Sequence, residues 1–387
     1  MFEIMDRDSQ EAVIKVIGVG GCGGNAVAHM IEKAVGGVEF ICANTDMQAL
    51  KKSQAKTILQ IGTDITKGLG AGARPQVGRD AALEDRDRIA EIIDGADMLF
   101  IAAGMGGGTG TGAAPIIAEV AKEMGILTVA VVTKPFAFEG KRTKIAQEGL
   151  EELSRHVDSL IVIPNEKLME VLGEDVPFLA AFEAANDVLH NAVAGIAEII
   201  NCPGMVNVDF ADVRTVMSEM GMAMMGSAMA TGPNRAIIAA EQAVASPLLE
   251  DVNLANARGV LVNITASSSF KMKEYYDVMN TIKAFTAEDA TVIVGNVFDE
   301  SIGDGLRVTM VATGLNAAMA RRQQKPELRV MTQVRDGTTN QPIYSGVVED
   351  EAPAVFSSNG RRSQVEAMKM QGVEEYDIPA FLRKQAD

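Results

Sequence analysis

Ala103-Gly104-Met105-Gly106-Gly107-Gly108-Thr109-Gly110-Thr111-Gly112-Ala113-Ala114 sits between two strongly apolar segments. Before it, Met98 to Ala102 is an unbroken apolar run, the pattern of a buried strand. After it, Pro115-Ile116-Ile117-Ala118-Glu119-Val120-Ala121 has helical spacing, with a proline suited to a first turn. Glycines cost backbone entropy on folding. A run this dense is tolerated where a ligand must come close to the main chain. Small residues leave amide N–H groups bare, the following helix adds the positive end of its dipole, and two threonines add hydroxyls. That combination suits a phosphate chain. A plain surface turn does not need it.

Working outward, Val13 to Gly20 reads as a buried strand running into a second glycine turn, Gly20-Gly21-Cys22-Gly23-Gly24-Asn25, with a helix from Ala26 to about Lys33. Gly18, Gly20 and Gly23 fit G-x-G-x-x-G, a weak signal alone. Glu39 to Asn44 is the next strand, and Asp46 beyond it is the kind of acid a ribose-binding dinucleotide site needs. Lys67-Gly68-Leu69-Gly70-Ala71-Gly72-Ala73-Arg74-Pro75 is a third glycine loop, either lying on the same phosphates or simply mobile. A charged helix, Gly78 to Ile93, leads to the Met98 strand. Leu127 to Thr133 and Ser159 to Pro164 are further strands, the last ending at Asn165. Strands alternating with helices imply a parallel sheet covered on both faces. Loops after strands gather at one edge of such a sheet, where ligands bind. All three glycine loops are expected to follow strands.

Phe178 to Asn201 keeps Phe182, Leu189, Val193, Ile196 and Ile200 on one face, a long helix joining two domains. Phe182 and Asn186 lie one turn apart near its start. Cys202-Pro203-Gly204 breaks it. Asp209 and Asp212 share a helical face if their segment is helical; paired carboxylates position water, though an N-cap plus a surface acid is commoner. Met217 to Met229 is methionine-rich, mostly core filler. A second α/β pattern follows: a helix over Arg235 to Ala245, and strands over Gly259 to Ala266, Thr291 to Phe298 and Leu306 to Ala312. After about Asn316 the periodicity fades into a polar stretch to about Gly372, read as a disordered linker. A short apolar-bearing end then returns from Tyr376.

Composition narrows the function. At 387 residues there is room for two domains and a tail. A net charge of −17 argues against general affinity for nucleic acid or anionic membrane. Met1 to Asp6 lacks the basic and apolar regions of a signal peptide, and three scattered cysteines fit a reducing cytoplasm. His29, His156 and His190 form no ligand-spaced cluster, so no metal is expected on side chains alone. No G-x-x-x-x-G-K-[ST] occurs, which removes a P-loop enzyme.

Three motifs, in order, carry a resemblance to the tubulin/FtsZ family. Gly106-Gly107-Gly108-Thr109-Gly110-Thr111-Gly112 matches the tubulin signature Gly-Gly-Gly-Thr-Gly-[Ser/Thr]-Gly. Asn207-Val208-Asp209-Phe210-Ala211-Asp212 resembles the loop by which one tubulin-type subunit completes its neighbour's active site. Asp377-Ile378-Pro379-Ala380-Phe381-Leu382 looks like the adaptor-binding peptide of the family's bacterial division members. The resemblance implies an α/β fold: a Rossmann-like parallel-sheet GTPase domain joined by a central helix to a second α/β domain, then a disordered linker and a docking peptide. The expected boundaries are 1–10 flexible, 11–176 GTP-binding, 177–202 central helix, 203–316 second domain, 317–372 linker and 373–387 peptide.

What the resemblance further implies is a GTPase that polymerises head to tail and forms a division ring at mid-cell. By that likeness Gly21, Cys22, Gly23, Gly24 and Asn25 hold phosphates with Gly107, Gly108, Thr109 and Gly110. Gly20, Gly104, Gly106 and Thr133 complete the glycine surfaces, and Ala71, Gly72 and Ala73 lie near the γ-phosphate. Glu139 and Arg142 reach the ribose, Phe182 stacks on guanine, and Asn186 and Asn165 add polar contacts. Asn207, Asp209 and Asp212 act on the next subunit's nucleotide. Implied cofactors are GTP/GDP and Mg²⁺, with K⁺ a further candidate. Implied partners are the chain itself, membrane-tethering adaptors such as FtsA and ZipA on Asp377, Ile378, Pro379, Phe381 and Leu382, and spatial regulators of division. Cys22 stands where relatives often have Gly or Ala. A nicotinamide-dependent oxidoreductase rests only on Gly18, Gly20, Gly23 and Asp46, and a second glycine loop after a later strand counts against it. A scaffold that binds nucleotide only to fold is the remaining alternative. A β-branched residue at Gly108 is expected to abolish GTP binding with the fold intact.

Overall fold

The computed structural model describes residues 12–173, 177–201, 208–219, 221–249, 254, 257–287 and 290–315. Its strands, in chain order, are β1 (Ile14–Val19), β2 (Val38–Asn44), β3 (Thr57–Gln60), β4 (Met98–Gly104), β5 (Leu127–Lys134), β6 (Ser159–Pro164), β7 (Gly221–Thr231), β8 (Gly259–Ala266), β9 (Thr291–Phe298) and β10 (Gly305–Thr313). They form one sheet in the order β3-β2-β1-β4-β5-β6-β7-β10-β8-β9. The run from β3 to β7 is parallel, β10 is antiparallel to both its neighbours, and β9 is parallel to β8.

The helices of the first half are α1 (Gly20–Glu32), α2 (Met47–Leu50), α3 (Thr63–Thr66), α4 (Pro75–Glu84), α5 (Arg86–Ile93), α6 (Thr109–Glu123), α7 (Lys141–Leu153) and α8 (Asn165–Leu172). The long helix α9 (Phe178–Asn201) is followed by α10 (Phe210–Met217), α11 (Arg235–Val244) and α12 (Met272–Lys283). Strands buried on both faces must be apolar throughout, which is why β4 reads as an unbroken run. Its residues alternate between two cores. Phe100 packs with Met30 of α1 and Leu189 and Val193 of α9; Leu99 and Ile101 pack with Ile89 of α5 and Ile117 of α6. A third core lies under α11 and α12, around Val260, Val262, Ile264, Val278 and Ile282.

Four local readings need correction. Only part of the glycine run is a loop: Met105 to Gly108 turn between β4 and α6, but α6 begins at Thr109, and Pro115 lies inside it. Tertiary packing overrides glycine's poor helix propensity here. A Cβ on Gly112 would lie 2.0 Å from the Pro75 carbonyl, and one on Gly78 would lie 2.4 Å from that of Gly108, so α4 and α6 cross backbone against backbone. Likewise α1 starts at Gly20 rather than Ala26. The expected helix from Gly78 to Ile93 is two helices, broken at the buried Asp85, whose carboxylate turns aside to accept the Gly62 N–H at 2.7 Å. The Lys67–Pro75 loop follows α3, not a strand. The methionine-rich segment supplies β7, with Met224 and Met225 buried and Met229 half exposed. Cys202, Asn207, the N-terminal ten residues, the expected linker and the expected docking peptide lie outside the described residues.

Candidate functional site

A cavity of about 680 Å³ opens at the carboxyl ends of β1, β2, β4, β5 and β6. Its walls are Val19, Gly21, Cys22 and Asn25; Asn44, Asp46 and Ala49; Leu69 to Gly72; Gly104, Met105 and Gly107 to Gly110; Thr133, Pro135, Glu139 and Arg142; Asn165; and Leu179, Phe182, Ala185 and Asn186 of α9. The amino ends of α1 and α6 meet here. Gly20 has φ +74°, and a Cβ on it would lie 2.9 Å from the Gly110 nitrogen. Neither helix has a side-chain N-cap. Two sets of first-turn amides and two positive dipole ends are therefore left for an anion.

Side chains are fixed around these loops. The Gly106 N–H donates to Thr111 Oγ1 at 2.9 Å, and the Met105 N–H to the Thr133 carbonyl at 2.9 Å. Thr109 Oγ1 lies 2.7 Å from Thr45 Oγ1. Cys22 Sγ lies 3.6 Å from Thr133 Oγ1; burial pushes the thiol up, against the pull of that contact, so it stays neutral beside the glycine loops. Among the described residues Arg142 is the only basic one in the wall, and it is committed to Glu139 at 2.8 Å. Glu139 also accepts the Phe136 N–H at 3.0 Å. Phe182 stands edge-on to the buried Phe136, ring centres 5.6 Å apart, and Phe138 stacks on Phe136 at 5.1 Å. Asn165 is buried in the wall and its Oδ1 has no hydrogen-bond partner among the described residues. A cavity so poor in cations offers an anion main-chain amides rather than charged side chains.

Most expected site residues fall in this wall, but not all. Gly20 and Gly24 line an adjoining cavity of about 330 Å³ between α1 and α2. Gly23 is under the loop, where a Cβ would meet the Ala102 carbonyl at 2.3 Å. Gly106 packs on the Arg142 carbonyl, and Ala73 is exposed outside the wall. A Cβ on Gly108 would lie 2.1 Å from the Gly72 carbonyl, so a β-branched residue there displaces backbone and is no clean probe of binding. Asn44, Leu69 and Leu179 were not expected in the wall. Asp46, expected only as a ribose acid, is there as the cap of α2, accepting from the Gln48 and Ala49 N–H groups. Leu69 is a lone apolar residue in a loop, Asn44 the last residue of β2 and Leu179 part of the first turn of α9; none belongs to a pattern that singles it out.

Asp209 and Asp212 are exposed and absent from this wall. Asp209 caps α10, accepting the Asp212 N–H at 2.8 Å. The far end of α10 is tied to the amino edge of the sheet: Ser159, first residue of β6, donates to the Met217 carbonyl at 2.8 Å.

Models of two domains match in tandem: "Tubulin/FtsZ family, GTPase domain" over residues 13–173 and "FtsZ family, C-terminal domain" over 221–316. The chain belongs to the FtsZ family. It is similar to the cell division protein FtsZ of Pseudomonas aeruginosa strain PAO1, 59% identical with both chains covered in full. The Coxiella burnetii cell division protein FtsZ is 56% identical, with 99% of each chain covered. Among solved structures, "FtsZ dimer, empty (M. jannaschii)" superposes with a TM-score of 0.77 at 42% identity, covering 80% of this chain and 90% of that one. The Haloferax volcanii CetZ2 structure, at 19% identity and a TM-score of 0.66, shares the fold. As an FtsZ-family member the chain is a tubulin-like GTPase of cell division and binds GTP and GDP.

Proposed function

We propose that this FtsZ-family GTPase polymerises head to tail into protofilaments and hydrolyses GTP at the junction, the glycine loops of one subunit holding the phosphates and Asp209 and Asp212 of the next, with Asn207, polarising the attacking water. One observation carries the reading: helix α10, which bears the acids, is tied through Arg214 and Met217 to the amino edge of the sheet, while the cavity opens at its carboxyl edge. One chain cannot bring them together, but head-to-tail stacking does. An open, heterologous contact of that kind propagates as a filament. Around the cavity mouth Leu69 is 83%, Phe138 73% and Leu179 70% exposed, apolar surface that a second copy would cover.

Within the cavity, Gly21, Cys22 and Gly107–Gly110 hold the phosphates, Ala71 and Gly72 flank the γ end, and Glu139 and Arg142 take the ribose. Phe182, Asn186 and Asn165 take the guanine. A hard cation suits this site, because Asp46 offers a second carboxylate oxygen beside the glycine loops, and phosphate and water complete an oxygen shell. Asp46 would then hold Mg²⁺, which supplies charge neutralisation. The domain boundaries expected from sequence are retained. Asp377, Ile378, Pro379, Phe381 and Leu382 form the peptide that brings filaments to membrane-tethering adaptors at mid-cell. Truncation after Gly372 is expected to leave GTP turnover near normal and remove adaptor binding. The decisive experiment is GTP turnover per subunit against protein concentration: a threshold supports the shared site, and constant specific activity where no polymer exists defeats it.

A further inference from the structure

Thr45 is wholly buried just past the carboxyl end of β2. Its hydroxyl lies 2.7 Å from that of Thr109, the first residue of α6, which lines the cavity. Among the described residues Thr109 is the one group that hydroxyl bonds. The Thr45 carbonyl accepts from Thr66 Oγ1 at 3.3 Å and from the Gly70 N–H at 3.1 Å. A residue with no access to the cavity therefore touches both the start of α6 and the loop from Lys67 to Pro75.

Two hydroxyls bonded to each other use one proton between them and leave one over. If Thr109 donates to Thr45, its oxygen faces the cavity as an acceptor, which repels phosphate. If Thr45 donates to Thr109, the Thr109 proton is free to point outward. An anion at the amino end of α6 selects the second arrangement. The chain then runs from Thr45 through Thr109 to a phosphate oxygen, each bond polarising the next.

We infer that Thr45 is a positioning residue that turns the Thr109 hydroxyl into a fixed donor to the phosphate chain and anchors the Lys67–Pro75 loop to the same point. This inference rests on the nucleotide reading of the cavity. Thr45→Val keeps the shape and removes the hydroxyl; Thr45→Ser restores it. Equilibrium dialysis with GTP and with guanosine, which has no phosphates, separates positioning from general damage. Thr45→Val is expected to weaken GTP about tenfold and leave guanosine within about twofold, while Thr45→Ser binds both like the unmodified protein. Thr109→Val is expected to lose a similar factor, and the double variant no more than the worse single one. Unchanged GTP affinity in Thr45→Val, equal losses of GTP and guanosine, or additive losses in the double variant overturn the inference. If Thr45→Val does not fold, Thr45→Cys, of similar size and a weaker donor, takes its place with the same readouts. Failure of the unmodified protein to bind GTP overturns the nucleotide reading itself.

Discussion

Arg214 donates to the Gly125 carbonyl at 2.8 Å. Gly125 lies just past the carboxyl end of α6, whose amino end lines the cavity. With 15 residues, α6 spans about 22 Å. Helix α10 is thus fastened at the end of α6 that lies away from the cavity. Asp212→Ala is expected to bind GTP normally, to turn it over at least tenfold more slowly, and to poison activity when mixed with unmodified protein. A mixture whose rate is the simple average of its components would rule out shared filaments.

The glycine loops offer a cleaner probe than Gly108. A Cβ on Gly21 or Gly107 meets nothing within 4 Å, and neither has positive φ. Both line the cavity. Gly107→Val is expected to lose GTP affinity by more than tenfold at unchanged stability, whereas Gly108→Val costs about 1–3 kcal/mol by overpacking. Binding isotherms beside thermal melts for the two variants check the contrast.

Guanine is expected to be preferred over adenine. Asn186 lies in the wall one turn from Phe182, and a site built to hydrogen-bond a base edge leaves its own groups unpaired against the wrong base. Asn186→Ala is expected to reduce the preference for GTP over ATP about tenfold. Equal affinities for the two nucleotides in the unmodified protein would remove the basis for this assignment.

Acid sensitivity has a specific source in the second half of the chain. The buried Arg235 bonds both Glu274 oxygens, at 2.7 and 3.2 Å, together with Asp304 and Ser269. The Arg235 hydrogen bond holds the Glu274 carboxyl below its usual range, against the opposing effect of burial. A depressed native value means that the unfolded chain binds the proton more readily. The stabilisation is complete above the ordinary carboxylate range and is lost as pH falls through the depressed value. Glu274→Gln is expected to flatten that acid limb and cost about 2 kcal/mol near neutrality, less than a fully broken buried pair because Asp304 remains. Urea unfolding at a series of pH values tests both the slope and the offset.

The parts of the fold legible in sequence were those with a period or a run. The strands β4, β6, β8 and β9 and the helix α9 were read within two residues of their observed ends, because each is an apolar run or a long helical stripe. The glycine segment reads as a loop throughout, whereas only Met105 to Gly108 is one and Thr109 onward is helix. Its helical form depends on the Pro75 carbonyl pressing on Gly112, a contact that no local window contains. Strand β7 escaped because Met-Ala-Met-Met alternates too poorly to show a face, and α12 because its polar surface outweighs Val278 and Ile282. In the site, Glu139, Phe182 and Asn186 are legible only through the family resemblance, while Asn44, Leu69 and Leu179 belong to none of the motifs that carry it.

The sheet carries one more consequence. Strand β7 meets β6 over three residue pairs, Ser159↔Gly221 to Ile161↔Ala223, and then meets β10 over eight, Gly305↔Thr231 to Ala312↔Met224. The two halves therefore share a ladder that narrows to a short splice at its middle. Tension applied along the chain concentrates on those three rungs and on the spine of α9 behind them. In deuterated buffer the amides of Gly221 to Ala223 are expected to exchange ahead of those deep in β10, as the shorter ladder opens first.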